Sequence, residues 1–536
     1  MNQGDITGEP IGLTASDDDD VPDFEEVPVW IKGQSDPGIE SFVFIERGED
    51  VLQYGRLSGG TEYSDRAQPE KLQRDMSLDF NTREVRESNL AHDVVRKMYV
   101  DLLGEVEFEE DEISVRRPTK LPRVGQVVYE LGAEELPRLL DIPGRDDDGL
   151  KIGTFESGGQ SIPFKLDSQF LSRHVAILGR TGVGKTHTGH VIIEEIIDYE
   201  RLSEAIDTYG SLDSATKADD SEVSEGDWLP VVTFDIEDDV APMAASVGGV
   251  TMDPATPQMQ IPFQLIGWNE FEKFLGDMPT AKQKQVIGSA YAMVRRDALT
   301  ELERHGTVNA GRAEFVTNIQ DVANHLNYSN VGSAINRAEN AIRQSDVLGE
   351  IMNDWAELMR ANPIINIDVG ELGDAQRGAV ISAVSRMLQF LRERDEIPPF
   401  ELVIDEAHQF VPSGRSGEST EVVRDLVKTA RHIEVGVVLM TQSPSELDSR
   451  TLRTCNTYIT LALADAEVNE IDGLYGDLSD RTIEQIPSME RGRAIVGSAR
   501  DIMTHSVPVK IRERDSPEGA ETPDLVDRAP DWFDNN

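Results

Sequence analysis

The octapeptide Gly179–Thr186, GRTGVGKT, limits what this chain can fold into more than any other stretch. It fits the pattern G-x-x-x-x-G-K-[ST]. It follows the apolar run His174-Val175-Ala176-Ile177-Leu178, which reads as a buried strand, and precedes Val191, Ile192, Ile193, Ile196 and Ile197, whose spacing reads as a helix. A phosphate cradle needs that strand-to-helix context. Gly179, Gly182 and Gly184 let the backbone turn tightly with no Cβ in the way, so that successive N–H groups and the helix N-terminus face phosphate oxygens. The expected nucleotide-binding set is Gly179, Arg180, Thr181, Gly182, Val183, Gly184, Lys185, Thr186 and His187, with Lys185 on the β- and γ-phosphates and the Thr186 hydroxyl on Mg2+. ATP and Mg2+ are the cofactors this implies. An ordinary tight turn would leave Lys185 unexplained.

A second stretch, Phe400–His408 (FELVIDEAH), is an apolar run that ends in two acids. A buried strand would deliver Asp405 to its C-terminal tip, where the carboxylate can hold Mg2+ directly or through water, and Glu406 could then orient and deprotonate an attacking water. Paired acids at a strand end are common; the upstream phosphate loop is what makes these two a site. DEAH also occurs in helicases with two RecA-like domains on one chain, but no second domain of that kind follows here. Arg431 then precedes another apolar run, Val435–Met440, which leads into Thr441-Gln442. A polar amide at that strand tip can sense a γ-phosphate, and an arginine at the domain edge can reach a neighbour's nucleotide, a contribution of about 10³ to 10⁵ in rate. Each is also an ordinary loop or surface choice. The candidate catalytic residues are therefore Glu406, Arg431, Gln442 and Lys185, and the candidate metal ligands Thr186 and Asp405.

At 536 residues the chain exceeds what one core usually supports. Residues 1–27, with Asp17–Asp20, read as a disordered acidic leader. Residues 28–168 show short alternating segments such as Phe42-Val43-Phe44-Ile45 and Val127-Val128-Tyr129, separated by Gly and Pro. They predict a small β-barrel domain, with one helical pattern near 89–103. Strands alternate with helices through 169–267 and 361–512, including Val231–Asp235 and Ile364–Asp368, which predicts an α/β fold: a RecA-like P-loop ATPase core with a mostly parallel sheet. Residues 268–360 read as a helical insertion, 204–228 as a solvated surface insertion, and 513–536 as a disordered tail.

The formal charge is −49 and the pI about 4.4, with Arg outnumbering Lys. Such acidity argues by the usual rule against nucleic-acid binding. It also keeps a protein soluble in concentrated salt, where the Debye length falls to about 3 Å at 1 M, so the charge reads as the mark of a salt-rich cytoplasm rather than of a ligand. The single cysteine, Cys455, excludes an intrachain disulfide and reads as a small core residue. No apolar run of about 18 residues occurs, the N-terminus lacks a basic-plus-apolar signal, and no CxxC or HExxH appears; a cytoplasmic protein without a structural metal is expected.

The stretches RHVAILGRTGVGKTHT (173–188), FELVIDEAHQFVP (400–412), TARHIEVGVVLMTQSPSELD (429–448) and TLRTCNTYITLAL (451–463) resemble the archaeal HerA family, in the HerA and FtsK group of P-loop motors, here in a haloarchaeal form. The β-rich N-terminal region resembles that family's barrel domain, and the resemblance extends over about 40–512 with the closing strands Gly492–Gly497 and Val507–Ile511. It implies a homohexameric ring that translocates on double-stranded DNA and works with a NurA-like nuclease in resecting broken ends, with no membrane partner. By motif position Lys185 and Thr186 bind phosphate and Mg2+, Asp405 binds Mg2+, Glu406 is the base, Gln442 the sensor, Arg431 the trans finger, and Asp235 the acid after the P-loop helix. The chain departs from the family at His432, where an Arg-Lys pair is usual, and at Ile236-Glu237-Asp238-Asp239, which replaces a DPHGEY-like loop. Arg295, Arg296, Arg337 and Arg343 of the helical insertion are candidate DNA contacts, or pairs for adjacent acids on a helix face. The alternative functions are a related hexameric ATPase that threads protein or drives secretion, and a nucleotide-binding scaffold without turnover, to which Glu406 is opposed.

Overall fold

The computed structural model describes residues 8–519 apart from 65–93 and shorter stretches of at most five residues. The chain divides into one unit of residues 1–167 with 460–512 and another of 168–459 with 513–536.

The first unit opens with β1 (Pro10–Thr14), β2 (Glu26–Ile31), β3 (Phe42–Glu46), β4 (Val51–Ser64), β5 (Val94–Glu109), β6 (Glu112–Arg116) and β7 (Val127–Glu130). They run in the order β2-β1-β7-β3-β4-β5, and antiparallel pairing of β2 with β5 closes six strands into a barrel, with β6 added beside β5. Alternate side chains fill it: Ile11, Val27, Val29, Ile31, Val43, Ile45, Met98, Val100, Leu102 and Val128. Register shifts at Tyr54/Gly55 and Leu57/Gly59 bend the long β4, as closure requires.

Two expectations change here. Within the predicted leader, Pro10–Thr14 is a barrel strand, because cross-strand pairing with β2 and β7 supplies the order that its sparse apolar content does not. The helical pattern near 89–103 is strand β5 from Val94 onward; its buried Met98, Val100 and Leu102 follow a period of two between β2 and β4, and residues 89–93 lie outside the described residues.

The same unit continues with the hairpin β8 (Leu150–Ser157) and β9 (Gln160–Leu166). The second unit holds β10 (Val175–Leu178), β11 (Val231–Asp235), β12 (Val250–Met252), the two-residue pair β13 (Ile261–Pro262) and β14 (Leu348–Gly349), β15 (Ile364–Asp368), β16 (Phe400–Ile404), β17 (Val435–Thr441) and β18 (Thr457–Thr460). Its main sheet runs β12-β15-β11-β16-β17-β10-β18, parallel from β12 to β10. Every residue of β10, β11, β16 and β17 is buried, the pattern of parallel strands covered on both faces. Its helices include α1 (Lys185–Ile197), α2 (Trp268–Leu275), α3 (Ala281–His305), α4 (Arg312–His325), α5 (Val331–Arg343), α6 (Asp374–Glu393) and α7 (Glu418–Thr429). Phe263, Trp268, Phe271, Tyr291 and Phe315 pack together in the helical insertion, with Phe271 stacked on Tyr291 at 4.2 Å.

The last two strands, β19 (Arg493–Ser498) and β20 (Val507–Ile511), group with the first unit. The cause is a long-range antiparallel pairing, Lys510 with Thr154 and Ile511 with Gly153. In the stretch 204–228, Leu212, Ala215 and Val223 are buried, so it is not wholly solvated. Residues 513–519 of the expected tail lie against α1: Asp515 and Ser516 donate backbone N–H bonds to Glu194 Oε1 at 2.9 and 2.7 Å. Residues 520–536 lie outside the described residues.

Candidate functional site

The phosphate loop sits between the tip of β10 and the start of α1. Gly182 and Gly184 have φ of 80° and 106°, conformations in which a side chain is strained, and Gly184 begins the 13-residue helix. The helix lies close on the sheet: a Cβ at Gly189 would overlap Met440 Sδ. Val183 is buried, Thr186 and His187 are half-buried, and Arg180 and Thr181 are exposed. The backbone around Gly182–Lys185 is thus shaped as an anion cradle.

Lys185 is 6% exposed and pairs with two carboxylates at once, Asp405 Oδ1 at 2.8 Å and Glu406 Oε1 at 2.9 Å. Burial pulls its pKa down, but the charges of Asp405 and Glu406 outweigh that and hold it above the ordinary lysine value. Glu406 adopts φ 45°, which turns the chain at the end of β16. Burial pushes the Glu406 carboxyl up, while the hydrogen bond from His408 and the Lys185 charge bring it below the usual value. His408 Nδ1 lies 3.2 Å from Glu406 Oε2 and 3.0 Å from the Thr441 hydroxyl. The sequence alone assigns His408 no role; DEAH spacing does not reveal that β17 passes beside it.

Strand β17 separates β10 from β16, so its tip lies between the phosphate loop and the paired acids. Gly179 N–H donates to the Thr441 carbonyl at 3.2 Å, and Thr181 Oγ1 donates to Gln442 Oε1 at 2.5 Å. Asp235, ending β11, accepts N–H bonds from Glu237 and Val240 at 3.1 and 3.0 Å. Burial raises its pKa and carries that of Asp239 up to about 6, with Asp235 and Glu237 adding to the second shift.

Seven residues of β17 separate Arg431 from Gln442, and a strand of that length spans about 23 Å. Arg431 is exposed at the opposite end, away from its own chain's phosphate loop. The insertion arginines are engaged locally: Arg295 and Arg337 donate to the carbonyls of Ile266 and Leu275, each at 2.8 Å, and Arg296 and Arg343 pair with Asp297 and Glu339.

A glycine-shaped cradle, a buried ammonium, a hydroxyl at the second residue of α1 and two adjacent carboxylates fit a nucleotide polyphosphate with a divalent ion. No cluster of three or more His, Cys, Asp or Glu suited to a metal occurs among the described residues.

Residues 150–388 match the model of the HerA helicase central domain. Over that stretch the chain is similar to the HerA family. Residues 382–463 also match the model of zonular occludens toxin. A probable helicase of Methanocaldococcus jannaschii is 22% identical over 76% of this chain and 75% of its own length. The DNA double-strand break repair helicase HerA of Pyrococcus furiosus is 22% identical over 74% of each. Among solved structures, VirB4 of Thermoanaerobacter pseudethanolicus shares the fold with a TM-score of 0.50 at 16% identity, covering 70% of this chain and 98% of that one. The chain is an ATP-hydrolysing enzyme of the helicase type. No helix among its described residues is long and apolar enough to cross a membrane.

Proposed function

We propose that this chain is the subunit of a homohexameric ring that hydrolyses ATP with Mg2+, translocates on double-stranded DNA, and works with a NurA-type nuclease in resecting DNA ends. The observation that carries the reading is the division of one reaction centre along β17: Lys185, Asp405, Glu406 and Gln442 gather at its C-terminal tip, and Arg431 stands exposed at the other end. An arginine so placed serves a neighbour's site, and a ring supplies one to every site.

Bound ATP and Mg2+ would supply the phosphoryl group and its charge-neutralising ion. The Lys185 ammonium would exchange a carboxylate partner for a phosphate oxygen, and Thr186 and Asp405 would hold the ion. Glu406, freed from Lys185 and steadied by His408, orients a water and takes its proton. Gln442, at the tip between loop and acids, reports the γ-phosphate to β17, and Arg431 stabilises the charge that develops in the next subunit's site. A closed ring holds duplex topologically, which suits a chain of charge −49 in salt that weakens phosphate contacts. The relatives named for DNA break repair support DNA as the polymer.

ATPase activity in high KCl, with and without linear duplex DNA, tests this. Strong stimulation is expected. Intact basal turnover with a flat response to DNA would move the assignment to a ring acting on another polymer.

A further inference from the structure

A cavity of about 1090 Å³ opens between α5, the end of α2 and the start of α6, far in sequence from the phosphate loop. Along α5 and its flanks, Asn330, Asn336, Asn340 and Gln344 line it and are exposed, and Ser333 and Arg337 lie among them at helical spacing. The side-chain amides of those four residues form no hydrogen bond within the protein among the described residues. The other lining includes Lys273 and residues 373–376, which form the N-terminus of the 20-residue helix α6, its positive dipole end. The cavity's two carboxylates, Asp346 and Asp374, are matched by Lys273 and Arg337, so the surface is neutral in a chain of charge −49.

We propose that this groove is a nucleic-acid contact that takes the phosphodiester backbone of one strand of a duplex mainly through neutral amides. The inference rests on the DNA reading above and adds where the contact is made. An amide N–H that bonds a phosphate oxygen releases no condensed counterion, so its contribution lacks the steep salt dependence of a lysine or arginine contact. That property fits an acidic protein in concentrated salt, and the four candidate arginines of the insertion are already engaged locally. From Asn330 to Gln344 the stripe runs about 21 Å along the helix, comparable with about six phosphates of one strand. A protein partner would be anchored by aromatic or aliphatic side chains in apolar pockets. Here Phe274 and Leu275 are the large apolar residues of the lining.

The test uses the full chain and a blunt 30-bp duplex, with anisotropy measured across a KCl series and basal ATPase measured in parallel. Asn336→Lys with Asn340→Lys should bind more tightly at low KCl and steepen the log–log salt slope by about 1.8, at about 0.9 per phosphate neutralised. Asn336→Asp with Asn340→Asp should weaken binding about tenfold or more by repulsion. Basal ATPase should stay unchanged in both. Wild-type binding with neither pair changing affinity or slope would overturn the groove and leave the motor reading standing. Failure of the wild type to bind duplex or to be stimulated by it would take down both.

Discussion

Lys185 Nζ lies 2.9 Å from Glu406 Oε1 and both side chains are buried, so the loop's cation and the candidate base neutralise each other across the sheet. Removing Lys185 leaves two buried carboxylates, Asp405 and Glu406, without their shared cation, and loss of one partner costs about 3–5 kcal/mol in comparable buried pairs. Lys185→Ala is therefore expected to lower the denaturation midpoint as well as abolish nucleotide binding. The two effects separate in chemical denaturation and in titration with a fluorescent ATP analogue.

Glu406→Gln keeps the shape of the base and removes its proton affinity. ATP binding should persist while hydrolysis falls by about 10² to 10⁴. Wild-type turnover in this variant would remove Glu406 from its assigned role.

Because Arg431 stands at the far end of β17 from its own site, Arg431→Ala should bind ATP and fail to hydrolyse it. Mixed with Lys185→Ala subunits, it should regain activity wherever a competent site meets a neighbour's intact arginine. Absence of rescue at every mixing ratio would show that Arg431 does not act in trans.

The Thr181–Gln442 hydrogen bond links the phosphate loop to β17 directly. Gln442→Ala should leave ATP binding within about tenfold of wild type, since a neutral hydrogen bond contributes about 0.5–1.5 kcal/mol, and should lose most of the stimulation by DNA. Stimulation equal to wild type would exclude Gln442 as the sensor.

Asp239 supplies a pH test. Its carboxyl is raised from 3.8 to about 6 by burial and then by its acidic neighbours, so the folded state holds the proton more tightly than the unfolded chain. Stability from this group is greatest below pH 4, falls as pH rises between about 4 and 6, and stays reduced above that. Asp239→Asn should raise the melting temperature at pH 7.5 and have little effect at pH 4. Equal shifts at both pH values would mean that the charge of Asp239 is not the cause.

How much of this is legible in the sequence follows the range of the interactions. Gly182, Gly184 and Lys185 act through local backbone geometry and sit in one octapeptide, and Asp405 and Glu406 end an apolar run short enough to read as a strand; sequence alone singled out both halves of the candidate site, which the structure brings together. The alternation of strands and helices likewise determined the parallel core, because period and burial are local properties. The pairing of β20 with β8, which assigns residues 493–511 to the unit of the barrel, joins segments more than 300 residues apart and leaves no local trace. The same holds for β1, which has order only because β2 and β7 flank it, and for His408, whose contact with Thr441 exists because β17 lies beside β16. The tertiary structure also decided that Arg431 lies exposed at the end of β17 remote from Gly179–Thr186, since the direction of a strand in a sheet is set by its neighbours and not by its composition.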